Sequence, residues 1–333
     1  MSQSRHSPPA AAASDRPVIF RILTASALVL AACSNPPPKT EAPTGPASGW
    51  SLDPGGDLNA FFDCLETEGI SLVSAHRGGP APGFPENAVE TFARTLSLAP
   101  ALIEIDVAQS ADGVLFLMHD DRLERTTTGG GEAAAQKWAS IAALRLEDGR
   151  GTATRFHPPT FADALAFAKS RTVAQIDFKQ SARYEDAIAE IRAAGAGTRV
   201  ILIAYTLGSA KKLHRLAPEM MISLNLSSMS DLNAAVAAGI PADRLLGFTG
   251  VEAPNAQTFR VLNGRDVEVI FGTLGGGDSI DRRLEASGDD GLYAELSEDG
   301  VDIIATDRPL EAQAALDAAG RGARDGVCGV RRL

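Results

Sequence analysis

From residue 71 onward the chain alternates short apolar, β-branched runs with Ala-rich stretches of helical period, and few folds accept that alternation. Strands are predicted at 71–75, 101–107, 114–118, 172–178, 199–204, 220–226, 245–248, 267–271 and 302–306. Helices are predicted at 87–98, 161–169, 184–194, 209–216, 231–238, 255–262, 291–298 and 309–319, with another at 58–68 before the first strand. Parallel strands need long crossovers, which helices of this length supply. A flat doubly wound sheet would concentrate its chemistry at one Gly-rich loop. Here polar residues end several successive strands, as in a closed barrel. The expected fold is therefore α/β, a TIM (β/α)8 barrel. Nine strand candidates are one too many. The run 114–118 follows its predecessor through only Ala111-Asp112-Gly113, too short for a parallel crossover, so it reads as a hairpin arm. A Gly-rich insertion at about 121–159, with a short helix near 136–144, should fold over one side of the barrel mouth.

The first residues read as something other than fold. Arg16 and Arg21 precede the apolar stretch Ile22 to Ala32, too short for a stable span and suited to an export signal. Leu30-Ala31-Ala32-Cys33 looks like a bacterial lipoprotein processing box, which makes residues 1–32 a signal peptide and Cys33 the lipidated terminus; an ordinary secretory signal is the alternative. Residues 33–50, with Pro36-Pro37-Pro38, Pro43 and Pro46, read as an extended tether, and 51–333 as the folded domain. Ser34 after Cys33, where an Asp often retains lipoproteins at the inner membrane, favours a periplasmic protein held at the outer membrane. Export permits a disulfide between Cys64 and Cys328, which lie near opposite ends of a domain that a barrel closes on itself; two free thiols are the other option. The formal charge of −11 argues against nucleic acid as a partner.

Histidine is scarce, five in 333 residues, yet His76 and His119 both end strand-like runs beside charged neighbours. Two imidazoles near neutral pKa can take a proton from an attacking hydroxyl and give one to a leaving alcohol. Arg77 suits bidentate contact with a phosphate, and Gly78-Gly79 allows close backbone approach. Glu104 and Asp106 sit two apart on a strand and so share a face. They are either ligands of a hard cation, Mg²⁺ or Ca²⁺, or a solvated pair on an outward face. Asp177 and Lys179 repeat the spacing, as third ligand and phosphate contact or as a buried ion pair. His157 and His214 have no such setting and read as surface residues.

In order, His76-Arg77-Gly78, Pro85-Glu86-Asn87, Glu104-Ile105-Asp106-Val107, Asp112-Gly113, His119-Asp120 and Arg125-Thr126-Thr127-Thr128-Gly129 resemble the glycerophosphodiester phosphodiesterases. The likeness continues through His157-Pro158-Pro159-Thr160-Phe161 and Asp177-Phe178-Lys179 to Thr306-Asp307-Arg308-Pro309. It implies a TIM barrel with a divalent cation on Glu104, Asp106 and Asp177. His76 and His119 become the acid/base pair, and Arg77 and Lys179 the phosphate contacts. Glu86 and Asn87 match as supporting residues, with Asn87 able to cap the following helix. The implied reaction cleaves glycerophosphodiesters to glycerol 3-phosphate and an alcohol through a cyclic phosphate. The expected partner is that small molecule, the expected state a monomer, and the only membrane contact the lipid anchor. Two positions depart from the family: Asp177 stands where Glu is usual, and Val269–Thr273 lacks a common Trp. A lyase that stops at the cyclic phosphate, a non-catalytic phosphoester-binding lipoprotein and a structural envelope protein are the competing readings.

Overall fold

The computed structural model describes residues 48–333. In chain order the elements run β1 (Trp50–Leu52), α1 (Leu58–Thr67), β2 (Leu72–Ala75), α2 (Val89–Leu98), β3 (Ala101–Gln109), β4 (Leu115–Leu117) and α3 (Trp138–Ile141). There follow α4 (Phe161–Arg171), β5 (Ala174–Phe178), α5 (Tyr184–Ala194), β6 (Val200–Ala204), α6 (Leu207–Leu216), β7 (Met221–Asn225) and α7 (Met229–Ala237). The chain ends with β8 (Leu245–Phe248), α8 (Ala256–Asn263), β9 (Glu268–Gly272), α9 (Ile280–Ser287), α10 (Gly291–Glu298), β10 (Ile303–Thr306), α11 (Pro309–Ala318) and β11 (Val330–Arg332).

Strands β2, β3, β5, β6, β7, β8, β9 and β10 pair in parallel around a closed ring, and β10 returns to β2 with Ile303 opposite Leu72 and Thr306 opposite Ala75. The ninth strand candidate is β4, antiparallel to β3 with Leu117 opposite Val107, so the hairpin reading holds. The insertion bridges back on itself at Thr127–Leu146 and Glu147–Ala153. A small core of Phe116, Met118, Leu123 and Ile141 seats it beside β3.

Alternation along each strand separates two apolar layers. Val73, Ala75, Ile103, Ile105, Val107, Ile176, Leu202 and Ile222 face outward into a continuous core with the helices. Leu72, Leu102, Ile201, Met221, Leu246 and Ile303 face inward near the strand starts, where they meet Leu58, Phe61, Phe62 and Leu65 of α1. That stripe, spaced for one helical face, makes α1 a plug in the N-terminal end of the barrel. Beneath the plug lie two buried acids. Burial first, then the Asp302 charge, pushes Glu268 up to about 10, and burial pushes Asp302 up to about 7.

Two features went unforeseen. A ribbon forms between β1 and β11, so the tether expected to reach residue 50 gives way to a strand at Trp50. Helix α9 has the polar sequence Ile-Asp-Arg-Arg-Leu-Glu-Ala-Ser and buries little more than Ile280 and Asp281, which leaves hardly any apolar period to read. The signal, Cys33 and most of the tether lie outside the described residues. No helix among the described residues is long and apolar enough to cross a membrane.

Cys64 of α1 and Cys328 form a disulfide with Cα atoms 5.8 Å apart across 264 residues of chain. The link ties the plug to the segment that enters β11. Closing so long a loop restricts the unfolded chain strongly, and replacing both cysteines by serine should lower the unfolding free energy by about 2–4 kcal/mol. Denaturant melts of the two proteins measure this; coincident curves would mean that the plug holds without its tie.

Candidate active site

At the end of β2 the chain makes one 3₁₀ turn, His76–Gly78, and three successive residues are left-handed: Arg77 (φ 50°), Gly78 (φ 87°) and Gly79 (φ 77°). Only Arg77 bears a side-chain cost there, about 1–2 kcal/mol. In return its backbone N–H donates to Glu104 Oε2 at 2.8 Å. A Cβ on Gly78 would stand 2.2 Å from Phe92 of α2, and one on Gly79 2.9 Å from Pro309, so their role is to seat the turn on two helices.

Glu104 and Asp106 point inward from β3, and Asp177 on β5 is the ladder partner of Asp106. One oxygen from each lies within 4.8 Å of the others, and exposures of 9, 1 and 5 % rule out the solvated alternative. Asp106 accepts from Lys179 Nζ (2.6 Å) and Asn87 Nδ2 (2.7 Å), while its backbone N–H donates to Asn87 Oδ1 (3.0 Å). Asn87 is thus a support of the site, as its motif implied, and not a cap of the following helix. Helix α2 starts one residue later, from Ala88 with no side-chain cap, and Asn87 (φ 57°) grips Asp106 instead.

Asp177 accepts through Oδ2 from Lys179 Nζ (2.7 Å) and Tyr205 Oη (3.0 Å). Its Oδ1 is buried with no partner among the described residues. Burial first, then the Asp106 charge, raises Glu104 to about 8. Burial acts the same way on Asp106, but the Lys179 ammonium and its hydrogen bond, with help from Asn87, outweigh it and hold this carboxyl low. An orphaned buried carboxylate oxygen within an all-oxygen donor set fits a hard divalent cation.

The two imidazoles line one cavity of about 170 Å³ with the three carboxylates, Lys179 and Tyr205. His76 donates from Nδ1 to Asp307 Oδ1 and His119 from Nδ1 to Asp120 Oδ1, both at 2.6 Å. Burial opposes charge on His76, yet the Asp307 hydrogen bond and the Glu104 charge outweigh it and hold its pKa above the usual value. Asp307 is fixed in turn by the Gly275 N–H (2.9 Å), and its own N–H donates to Asp281 of α9 (2.7 Å).

A carboxylate–guanidinium chain joins the two histidines. Arg125 donates to both Asp120 oxygens (2.6 and 2.8 Å) and to both Glu86 oxygens (2.8 Å each). Glu86 also accepts from Arg77 Nη1 at 3.1 and 3.2 Å. Arg77 Nε donates to His76 Nε2 at 3.3 Å and lies 3.7 Å from Asp106. Arg77 Nη1 and Nε are thus engaged by Glu86 and His76, and Arg77 is not among the residues that line the cavity. His157 is exposed and donates to the Leu144 carbonyl, and His214 lies on α6, both away from the cavity.

Sequence reading missed Asp307, Arg125 and Tyr205. The first two stand within the motif-like runs Thr306-Asp307-Arg308-Pro309 and Arg125-Thr126-Thr127, which was the available signal. Nothing local marks Tyr205.

Residues 76–240 match the model of the Glycerophosphoryl diester phosphodiesterase family. A crystal structure of a glycerophosphoryl diester phosphodiesterase from Parabacteroides distasonis superposes with TM-score 0.77 at 27% identity, covering 86% of this chain and all of that one. The chain belongs to this family. It is accordingly a phosphodiesterase of glycerophosphodiesters. The uncharacterized protein YqiK of Bacillus subtilis is 25% identical over 236 residues, 69% of this chain and 96% of its own. An Oleispira antarctica phosphodiesterase in complex with the product sn-glycerol-3-phosphate shares the fold, with TM-score 0.57 and 20% identity over 74% of this chain and 97% of that one.

Arg125's hydrogen bonds, ahead of that from His119, hold the Asp120 carboxyl well below the ordinary aspartate range. A lowered acid contributes stability above its unfolded pKa and loses it as pH falls through the folded one, so the clamp outlasts mild acid. With Arg125→Met, carboxyl ¹³C NMR should show Asp120 titrating back toward the ordinary range. An unmoved titration would mean that Arg125 does not organise it.

Proposed function

We propose that this family member hydrolyses glycerophosphodiesters with a divalent cation held by Glu104, Asp106 and Asp177, using His76 and His119 as its acid/base pair. The carrying observation is a charge imbalance. Six acidic groups (Glu86, Glu104, Asp106, Asp120, Asp177 and Asp307) lie in and around the cavity against three permanent cations (Arg77, Arg125 and Lys179), and the acids stay in excess even with Glu104 holding its proton. A phosphodiester adds another negative charge to that surplus. Such a substrate enters only if positive charge enters too, and the unpaired Asp177 oxygen marks where it is received. A bound divalent cation supplies charge stabilisation at the non-bridging phosphate oxygens.

The protein's own groups do the rest. With Nδ1 of each ring committed to a carboxylate, proton transfer falls to Nε2, which on His76 also accepts a long hydrogen bond from Arg77 Nε (3.3 Å). One imidazole takes the proton of the neighbouring glycerol hydroxyl as its oxygen attacks phosphorus. The other, protonated, gives its proton to the departing alcohol oxygen as that P–O bond breaks. Water then opens the cyclic phosphate with the two roles exchanged, leaving glycerol 3-phosphate. Lys179 lines the cavity and meets a phosphate oxygen as a point charge. Arg77 orders Glu104 through its backbone N–H and Glu86 through its guanidinium.

An exported, lipid-anchored setting belongs to the same proposal. It rests on the signal-like run ending at Cys33 and is compatible with the Cys64–Cys328 disulfide. Fractionation should find the protein with membranes and a Cys33→Ala variant outside them; a wild-type protein in the soluble fraction would sink this part.

Glycerol 3-phosphate release from glycerophosphocholine and glycerophosphoethanolamine tests the chemistry. His76→Ala and His119→Ala should each lose about 10²–10⁴-fold in kcat. A chelator should abolish turnover until Mg²⁺ or Ca²⁺ is restored. Full activity in chelator rejects the cation, and a cyclic phosphate that persists in ³¹P NMR replaces the hydrolase with a lyase.

A further inference from the structure

We infer that Tyr205 is a positioning residue for the cation site, its phenol fixing Asp177 so that a single carboxylate oxygen is offered inward. The inference rests on reading Glu104, Asp106 and Asp177 as cation ligands. It goes further by assigning a residue that no ligand motif contains.

Asp177 is divided unequally. Its Oδ2 accepts two hydrogen bonds, from Lys179 Nζ at 2.7 Å and from Tyr205 Oη at 3.0 Å, which uses both lone pairs of that oxygen. Its Oδ1 is buried and accepts none among the described residues. A carboxylate pinned at one oxygen cannot rotate the other toward a donor, so the free oxygen keeps its direction. Tyr205 is suited to this task by its own support. It directly follows β6, two barrel strands on from β3, and its backbone carbonyl accepts from Asn225 Nδ2 at the end of β7 (3.3 Å). Its ring lines the cavity with Asn225, Phe248 and Leu274.

The two donors on Oδ2 are not equivalent. Lys179 is shared with Asp106 Oδ1 at 2.6 Å and is, among the described residues, the one Lys or Arg that lines the cavity. When it turns toward a substrate phosphate, the Tyr205 hydroxyl is the remaining donor that keeps Asp177 aimed. Asp106 has a separate holder in Asn87 (2.7 Å), and Glu104 has the Arg77 N–H (2.8 Å). Each of the three carboxylates thus has a donor independent of Lys179, and Tyr205 is the one that belongs to Asp177.

Isothermal titration of Mg²⁺, and separately Ca²⁺, into wild type, Tyr205→Phe and Asp177→Ala tests this. Phenylalanine keeps the ring and removes only the hydroxyl. Tyr205→Phe should bind the cation about tenfold more weakly, with an unchanged melting temperature in chelator, and should recover wild-type kcat once the cation is saturating. Asp177→Ala should lose binding beyond the Tyr205→Phe level. If Tyr205→Phe matches wild type while wild type binds, the positioning role is wrong and the ligand set stands. If wild type binds neither ion, both fall together.

Discussion

Three carboxylates lie within a few ångströms of one another inside this barrel, and taking them out of water is the constraint to which the surrounding structure answers. Burial first, and then the Asp106 charge beside it, pushes Glu104 up to about 8, while Lys179 and Asn87 outweigh burial and hold Asp106 low. Lys179 answers part of the surplus by bridging Asp106 and Asp177. Asn87, Tyr205 and the Arg77 N–H answer more of it with hydrogen bonds, at the cost of left-handed backbone at Arg77 and Asn87. Strain of that kind persists only where the neighbourhood overdetermines it. Here α2 packs against Gly78 closely enough to exclude a side chain.

The barrel makes the arrangement possible by separating its two ends. At the strand starts an aliphatic and aromatic plug fills the interior, so the mouth can be polar without destabilising the whole. Around that mouth the histidines are oriented by carboxylates from different elements: Asp307 after β10 and Asp120 beside His119 itself. Arg125 and Glu86 connect them, so the relative placement of the two rings depends on the insertion as well as on the barrel.

Much of this was legible in the residues. Period-two spacing put Glu104 and Asp106 on one face, and the short Ala111–Gly113 turn identified β4 as a hairpin arm. What failed shares a physical cause. Asn87 precedes a helix, where Asn is usually a cap, and only the position of Asp106 across the fold shows what its amide holds. Helix α9 buries so little that its pattern is silent, yet its Asp281 receives the Asp307 N–H. Tyr205 follows a strand like any other; its partner is 28 residues away on β5 and meets it only once β5 and β6 pair. Periodicity reports which way a side chain points within its own element, and these contacts are made between elements.

The acids beneath α1 carry a consequence of their own. Glu268 and Asp302 favour the forms that hold their protons, and each gives up stability as pH climbs from its unfolded pKa, about 4, to its folded one, about 7 for Asp302 and about 10 for Glu268. The sealed end of the barrel therefore has a pH dependence of its own, separate from that of Glu104 in the mouth. That sealed pole is held most firmly while both acids keep their protons and loosens as they are lost, with the Cys64–Cys328 link as the restraint that keeps the stopper in place.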